Sequence, residues 1–210
     1  MNQLYLLASC LLIPTTAFAQ PSQSASHYVR TGMERFRTNQ IPESIADFQE
    51  AEKLDPRVSP YLWQLGISYY YAEKYQLGRQ LFESHQKVNP DDVENAAWHF
   101  LCLAQLKGVP AARKQLLNID TRRDARVPMS EVYDLYLGSG STDAVLAAAN
   151  QADTESARMY AHLYVGLYYE VSNKPDQARD HLTWSAAAKL SDNYMHDVAK
   201  VHLLQRQWAR

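Results

Sequence analysis

The chain has 210 residues, 46% of them hydrophobic and 21% charged, and a formal net charge of −2. That balance excludes a disordered chain, which lacks the apolar surface to order itself. It also argues against nucleic acid as the main partner, because phosphate binding calls for a basic excess.

Residues 1–19 read as a secretory signal. Leu4 to Ile13 is mostly apolar, Pro14 breaks the run, and Ala17-Phe18-Ala19 is a small-x-small cleavage site before Gln20. The run is too short for a membrane-spanning helix, so a periplasmic or secreted protein with no transmembrane segment in its mature chain is expected. No Lys or Arg precedes Leu4. Leu7-Ala8-Ser9-Cys10 also matches the box before a lipid-modified cysteine, but the apolar stretch continues past Cys10. Simple secretion is therefore the preferred reading. Cleavage leaves Cys102 as the one cysteine, which rules out an intrachain disulfide. Cys102 is expected to be a small buried hydrophobe. Residues 20–26 are polar and are expected to be a disordered leader.

Residues 27–90 repeat themselves. Gly32, Phe48 and Pro56 recur 34 residues later as Gly66, Phe82 and Pro90. Helices are predicted over Tyr28–Arg37 and Glu43–Leu54, then Pro60–Glu73 and Gln76–Val88. Ser59-Pro60 is the expected start of the third. Asp55-Pro56 and Asn89-Pro90 end the second helix of each pair. With Leu62, Leu65, Tyr69 and Gly78, and with Tyr28, Ser44 and Ala51, the stretch resembles the tetratricopeptide (TPR) repeat. It departs at Thr31, Arg35 and His85. The resemblance implies an all-α array of helix-turn-helix units wound into a right-handed superhelix, serving to bind proteins or peptides.

Residues 91–152 read as degenerate helical repeats: Asp91–Lys107 and Ala111–Asn118, a charged connector Ile119–Pro128, then Ser130–Leu137 and Ala144–Asn150. Residues 153–210 read as a TPR-like pair, Thr154–Val171 and Pro175–Leu190, with Asn193–Gln207 as a C-terminal capping helix. The run Tyr164-Val165-Gly166-Leu167-Tyr168-Tyr169, with Asp176, Ala178 and Ala186–Val201, is similar to the end of the NlpI-type periplasmic TPR lipoproteins. That similarity implies an adaptor role in a bacterial envelope and a possible homodimer; it carries no site residue.

Chemistry is sparse. The seven His never fall at i, i+4, and no Cys-x-x-Cys or His-Glu-x-x-His occurs. No catalytic, metal or cofactor site is expected, and the His are read as packing or surface residues. The run Asp91–His99 offers a carboxylate-plus-His alternative, with Glu94 or Asn95 near His99, but helix capping explains it more simply.

Aromatic residues supply the functional candidate. In a TPR array the first helix of each pair lines the concave face. The repeat register puts Val29, Met33, Phe36 and Arg37 there, then Trp63, Ile67, Tyr70 and Tyr71, then Glu94 and Leu101. This face is expected to form an aromatic groove for a peptide or partner helix. Whether it is free or filled by segment 119–150 is left open. The expected function is thus an exported scaffold mediating protein–protein interaction. The alternatives are a structural dimerisation module or a helical-array enzyme without a recognisable catalytic set.

Overall fold

A computed structural model describes residues 23–209, all helix and connecting turn. The expected export signal and Cys10 lie outside the described residues. In chain order the helices are α1 (Ala25–Arg37), α2 (Ile41–Leu54), α3 (Trp63–Tyr71), α4 (Tyr75–His85), α5 (Val93–Lys107) and α6 (Val109–Lys114). They continue with α7 (Met129–Leu137), α8 (Thr142–Ala152), α9 (Glu155–Val171), α10 (Pro175–Ala186) and α11 (Tyr194–Gln205). Helices adjacent in sequence pack on each other, as an all-α array requires.

The pairs α1/α2, α3/α4 and α9/α10 share one internal design. A Cβ on Gly32 would meet the Phe48 ring at 3.1 Å, and one on Gly66 would meet the Phe82 ring at 2.6 Å. On Gly166 it would meet Leu182 Cγ at 2.7 Å. Each contact joins residues sixteen apart, so the large residue of one helix fills the space a missing side chain leaves on the other. The turns match as well. Asn39, Glu73 and Asn173, each seven residues after its glycine, adopt positive φ. The next amide then donates back into the first helix: Gln40 to Arg35, Lys74 to Tyr69 and Lys174 to Tyr169, at 2.8, 2.8 and 3.0 Å. That left-handed closure satisfies helix-end carbonyls and turns the chain back.

Local chemistry explains where the helices differ from expectation. Ser24 caps α1 by accepting from the His27 amide, so the expected leader is helical from Ala25. At Arg35, where the repeat pattern wants Tyr, the guanidinium instead reaches Asp47 of α2 at 3.1 Å. Ser59-Pro60 does not start the third helix. Pro56–Tyr61 forms a 3-10 turn, and α3 begins only at Trp63. Pro56 and Pro60 both lack an amide donor. The turn instead closes on Asp55, whose side chain accepts from the Arg57 amide at 3.1 Å.

The largest departure is α11. It packs on α10 and α9 and also reaches α1, the other end of the array. Tyr194 stacks on Phe36 with ring centroids 5.3 Å apart, and Arg37 pairs with Asp197 at 2.9 Å. Gln205 donates to Asn39 at 2.7 Å. The C-terminal helix therefore does more than cover the last pair. It lies against the aromatic residues of α1 and α3 and joins the last pair to the first.

Candidate functional site

The ten residues expected to line a groove fall into three groups. Phe36, Ile67, Tyr70, Tyr71 and Leu101 are buried in the core. Trp63, Arg37 and Glu94 are engaged by other parts of the chain. Val29 and Met33 alone line an open groove.

The buried group is held by α11 and α9. Tyr71 makes a hydrogen bond to Nδ1 of His202 at 3.1 Å, and Tyr70 donates to Glu170 at 3.2 Å. Glu170 also accepts from Arg206 and lies 3.4 Å from the His202 ring. Burial alone would raise the Glu170 pKa, but the hydrogen bonds and charge of His202 and Arg206 outweigh it and hold it at about 2. Tyr70 and Tyr71 have their phenol pKa values raised, first by burial and then by Glu170. Trp63 packs edge-on to Tyr194 at 5.2 Å, and the Arg37 guanidinium sits over the same ring. The expected aromatic groove is thus an intramolecular interface. Its α1 and α3 residues are covered by α11 and α9, while segment 119–150 reaches the face at Glu94 through Arg126. The physical reason is plain: several large rings on one face bury more apolar area against a helix than against water.

Glu94 belongs to a separate polar cluster. Its carboxylate accepts from the Tyr164 hydroxyl at 2.7 Å and from Arg126. Arg126 also bonds Asp92 at 2.7 Å and Asp124 at 2.6 Å. Burial raises the Glu94 pKa against the pull of Arg126. The expected alternative pairing of Glu94 or Asn95 with His99 does not form. His99 faces Glu83 at 3.3 Å, and Asn95 donates to Gln86 and to the Phe82 carbonyl. Arg126 was legible only as one charge in a basic connector, and nothing in local spacing pointed it at α5.

The other His are also packing residues. His85 bonds the Pro60 carbonyl at 2.8 Å, which accounts for a ring where a small residue is usual. His196 bonds the Ala186 carbonyl at 3.1 Å. His162 and His181 face each other, Nδ1 to Nδ1, at 3.0 Å, with Trp184 stacked on His162. Among the described residues no three His, Cys, Asp or Glu side chains gather as a metal site. Cys102 is buried, and burial pushes its thiol well above the usual range. Among those residues, too, no helix is long and apolar enough to cross a membrane.

The open groove lies at the N-terminal edge of the array. Val29 and Met33 of α1 form one wall. Leu54 at the end of α2, Val58 and Tyr61 of the 3-10 turn, and Leu62 supply the other apolar residues, with polar residues such as Arg30, Asp55 and Gln64 also lining it. Its volume is about 830 Å³. Tyr61 is 59% exposed, far more than a large aromatic ring normally is in a folded chain. Leu54 is exposed beside it. Pro56 and Pro60 belong to the 3-10 turn that ends at Tyr61, and this turn supplies Val58 and Tyr61 to the groove. The repeat register missed Leu54, Val58, Tyr61 and Leu62, since it describes helix faces and these residues sit at or between helix ends. No family model matches the chain, and no curated protein matches it either.

Proposed function

We propose that this chain is an exported TPR-type scaffold that docks a protein or peptide partner, and that docking uses the groove of Val29, Met33, Leu54 and Tyr61. One observation carries the reading: the groove is open and mostly apolar, with Tyr61 exposed at the end of a 3-10 turn. A Tyr presented in this way gives much contact area for little loss of side-chain freedom. The three helix pairs with matching glycine contacts and turns support the TPR assignment. The apolar run ending at Ala19 supports export.

The test is a pair of surface changes, Met33→Glu with Tyr61→Ala. Neither side chain is fully buried, so folding should stay close to native. Capture of envelope proteins by the immobilised chain should fall at least about tenfold, the usual scale for losing a binding anchor. Unchanged capture with intact helical content would exclude the groove as the docking site. A second copy of this chain is the other occupant to consider. If the groove serves a dimer, sedimentation will show a wild-type dimer and a monomeric double variant.

A further inference from the structure

Helix α1 carries Arg30, Arg35 and Arg37, and two of them are paired across the fold. Arg35 reaches Asp47 of α2 at 3.1 Å, and Arg37 reaches Asp197 of α11 at 2.9 Å. Arg30 is exposed and lines the N-terminal groove. Its guanidinium donates to His27 Nδ1, on the same helix, at 3.5 Å. Among the described residues no carboxylate forms an ion pair with it, and residues 1–22 contain no Asp or Glu. Asp55 also lines the groove, but Arg57 holds it at 2.8 and 2.9 Å. The groove thus presents a cation without a counter-charge beside its apolar residues.

The way α11 docks on α1 shows what such a surface accepts. Tyr194, the first residue of α11, stacks on Phe36 with ring centroids 5.3 Å apart. Asp197, three residues on and so on the same face of α11, takes Arg37. An apolar ring and a carboxylate at i, i+3 therefore meet an apolar residue of α1 and the arginine that follows it. Val29 and Arg30 stand seven residues before Phe36 and Arg37. That is about two turns, so the earlier pair lies on the same face of α1, about 10 Å along its axis. Met33 fills the stripe between them. No residue of α11 lines the groove, and Val29 and Met33 stay only partly buried. The groove continues the interface that α11 fills, with the same kind of residue pair left uncovered.

We propose that the groove takes a helix of a separate protein, one that presents a large apolar residue and, three residues later, an aspartate or glutamate. The apolar side chain lies against Val29 and Met33, beside Tyr61, and the carboxylate pairs with Arg30. A helix suits the site because its walls are helix and 3-10 turn. Among the described residues there is no strand edge for an extended segment to join. The inference rests on the groove being the docking site and adds the chemistry of what docks there. Apolar contact supplies most of the affinity, and the exposed ion pair selects the partner and fixes its orientation.

The probe is a synthetic peptide with the sequence of Asn193–Gln207, acetylated and amidated, which carries Tyr194 and Asp197 at the required spacing. It is titrated into the full chain, whose methionine methyls are isotope-labelled for NMR. The Met33 methyl should shift saturably while that of Met195, inside the chain's own α11, stays in place. A Tyr194→Ala peptide should bind about tenfold more weakly. An Asp197→Asn peptide should bind about threefold more weakly, the scale of an exposed ion pair, and high salt should close that gap. An Arg30→Gln chain should bind the Asp and Asn peptides alike, and an Arg30→Glu chain should prefer an Asp197→Lys peptide. Arg30 is exposed and in no ion pair, so both variants should keep the fold. Equal binding of the Asp and Asn peptides by the wild-type chain, with Met33 shifted, would overturn the inference and leave an apolar docking groove. A shift of Met195 in place of Met33 would mean that the peptide replaces α11, and this too would overturn it, as would no Met33 shift at millimolar peptide. The docking reading itself is judged separately, by Met33→Glu with Tyr61→Ala. A wild-type dimer that Arg30→Glu turns into a monomer would overturn the choice of a separate protein and put a second copy in the groove.

Discussion

Gly66 shows how little room a helix pair leaves for change. A Cβ there would lie 2.6 Å from Phe82 Cζ and 3.1 Å from a Leu81 methyl. Gly66→Leu should therefore lower stability by about 1–3 kcal/mol or more through overpacking. Urea unfolding measures this, and an unchanged midpoint would show that the α3/α4 contact is misassigned. Single ionisable residues make stability depend on pH in two stages. Burial, followed by the neighbouring His181, lowers the His162 pKa from its ordinary 6.5 to about 4. The unfolded chain takes up that proton first, so stability should fall as pH drops from about 6.5 to about 4. Glu170 acts in the same sense at lower pH, with a folded pKa of about 2 against an ordinary 4.5. Its contribution is whole above pH 4.5 and is lost as pH falls from about 4.5 to about 2. Denaturation across this range should show both stages. His162→Leu should shrink the upper one, to which His181 and His99 also contribute, and Glu170→Gln the lower one, to which Asp124 contributes. A flat profile in the wild type would mean that neither group is held as described.

At the level of helices, the sequence was most readable where one residue type does one job. The glycine–aromatic contacts at Gly32/Phe48 and Gly66/Phe82 are visible as a period of 34 because every pair needs the same close approach. Helix ends were harder. Pro60 looks like a first-turn proline, yet with Pro56 it belongs to a 3-10 turn, because the capping Asp55 side chain lies outside any helical pattern. The sequence pattern identifies the face of α3 as aromatic and leaves open what covers it. Apolar periodicity identifies a face that avoids water, and it is silent on whether another helix or a partner covers that face. Tyr70 and Tyr71 accordingly act as core residues. Replacing both with Ala should remove two packed rings and three hydrogen bonds, to Glu170, Gln105 and His202, each truncation costing about 3–5 kcal/mol, as large aromatic truncations do. Circular dichroism should show lost helicity or a much lower melting temperature. Near-native melting would mean that the rings are not in the core.

Across the whole molecule, α11 turns an open array into a closed one. It links Phe36 and Arg37 of the first helix to Tyr164 of α9, and His202 brings Tyr71 and Glu170 together. This closure was not legible in the sequence. A terminal helix after the last repeat reads as a cap, and the residues that bind it are up to 166 positions away. Closure also explains why docking is assigned to the N-terminal edge, where the 3-10 turn keeps Tyr61 outside. Closure requires α11 to be as firmly packed as the pairs it joins. Native-state hydrogen exchange measures this directly, because amides in a packed helix exchange only when it opens. Amides of Tyr194–Gln205 should exchange as slowly as those of α3 and α5, and Arg37→Ala with Gln205→Ala should speed them selectively. Fast exchange throughout α11 in the wild type, with α3 and α5 still protected, would contradict the account and restore an open aromatic groove.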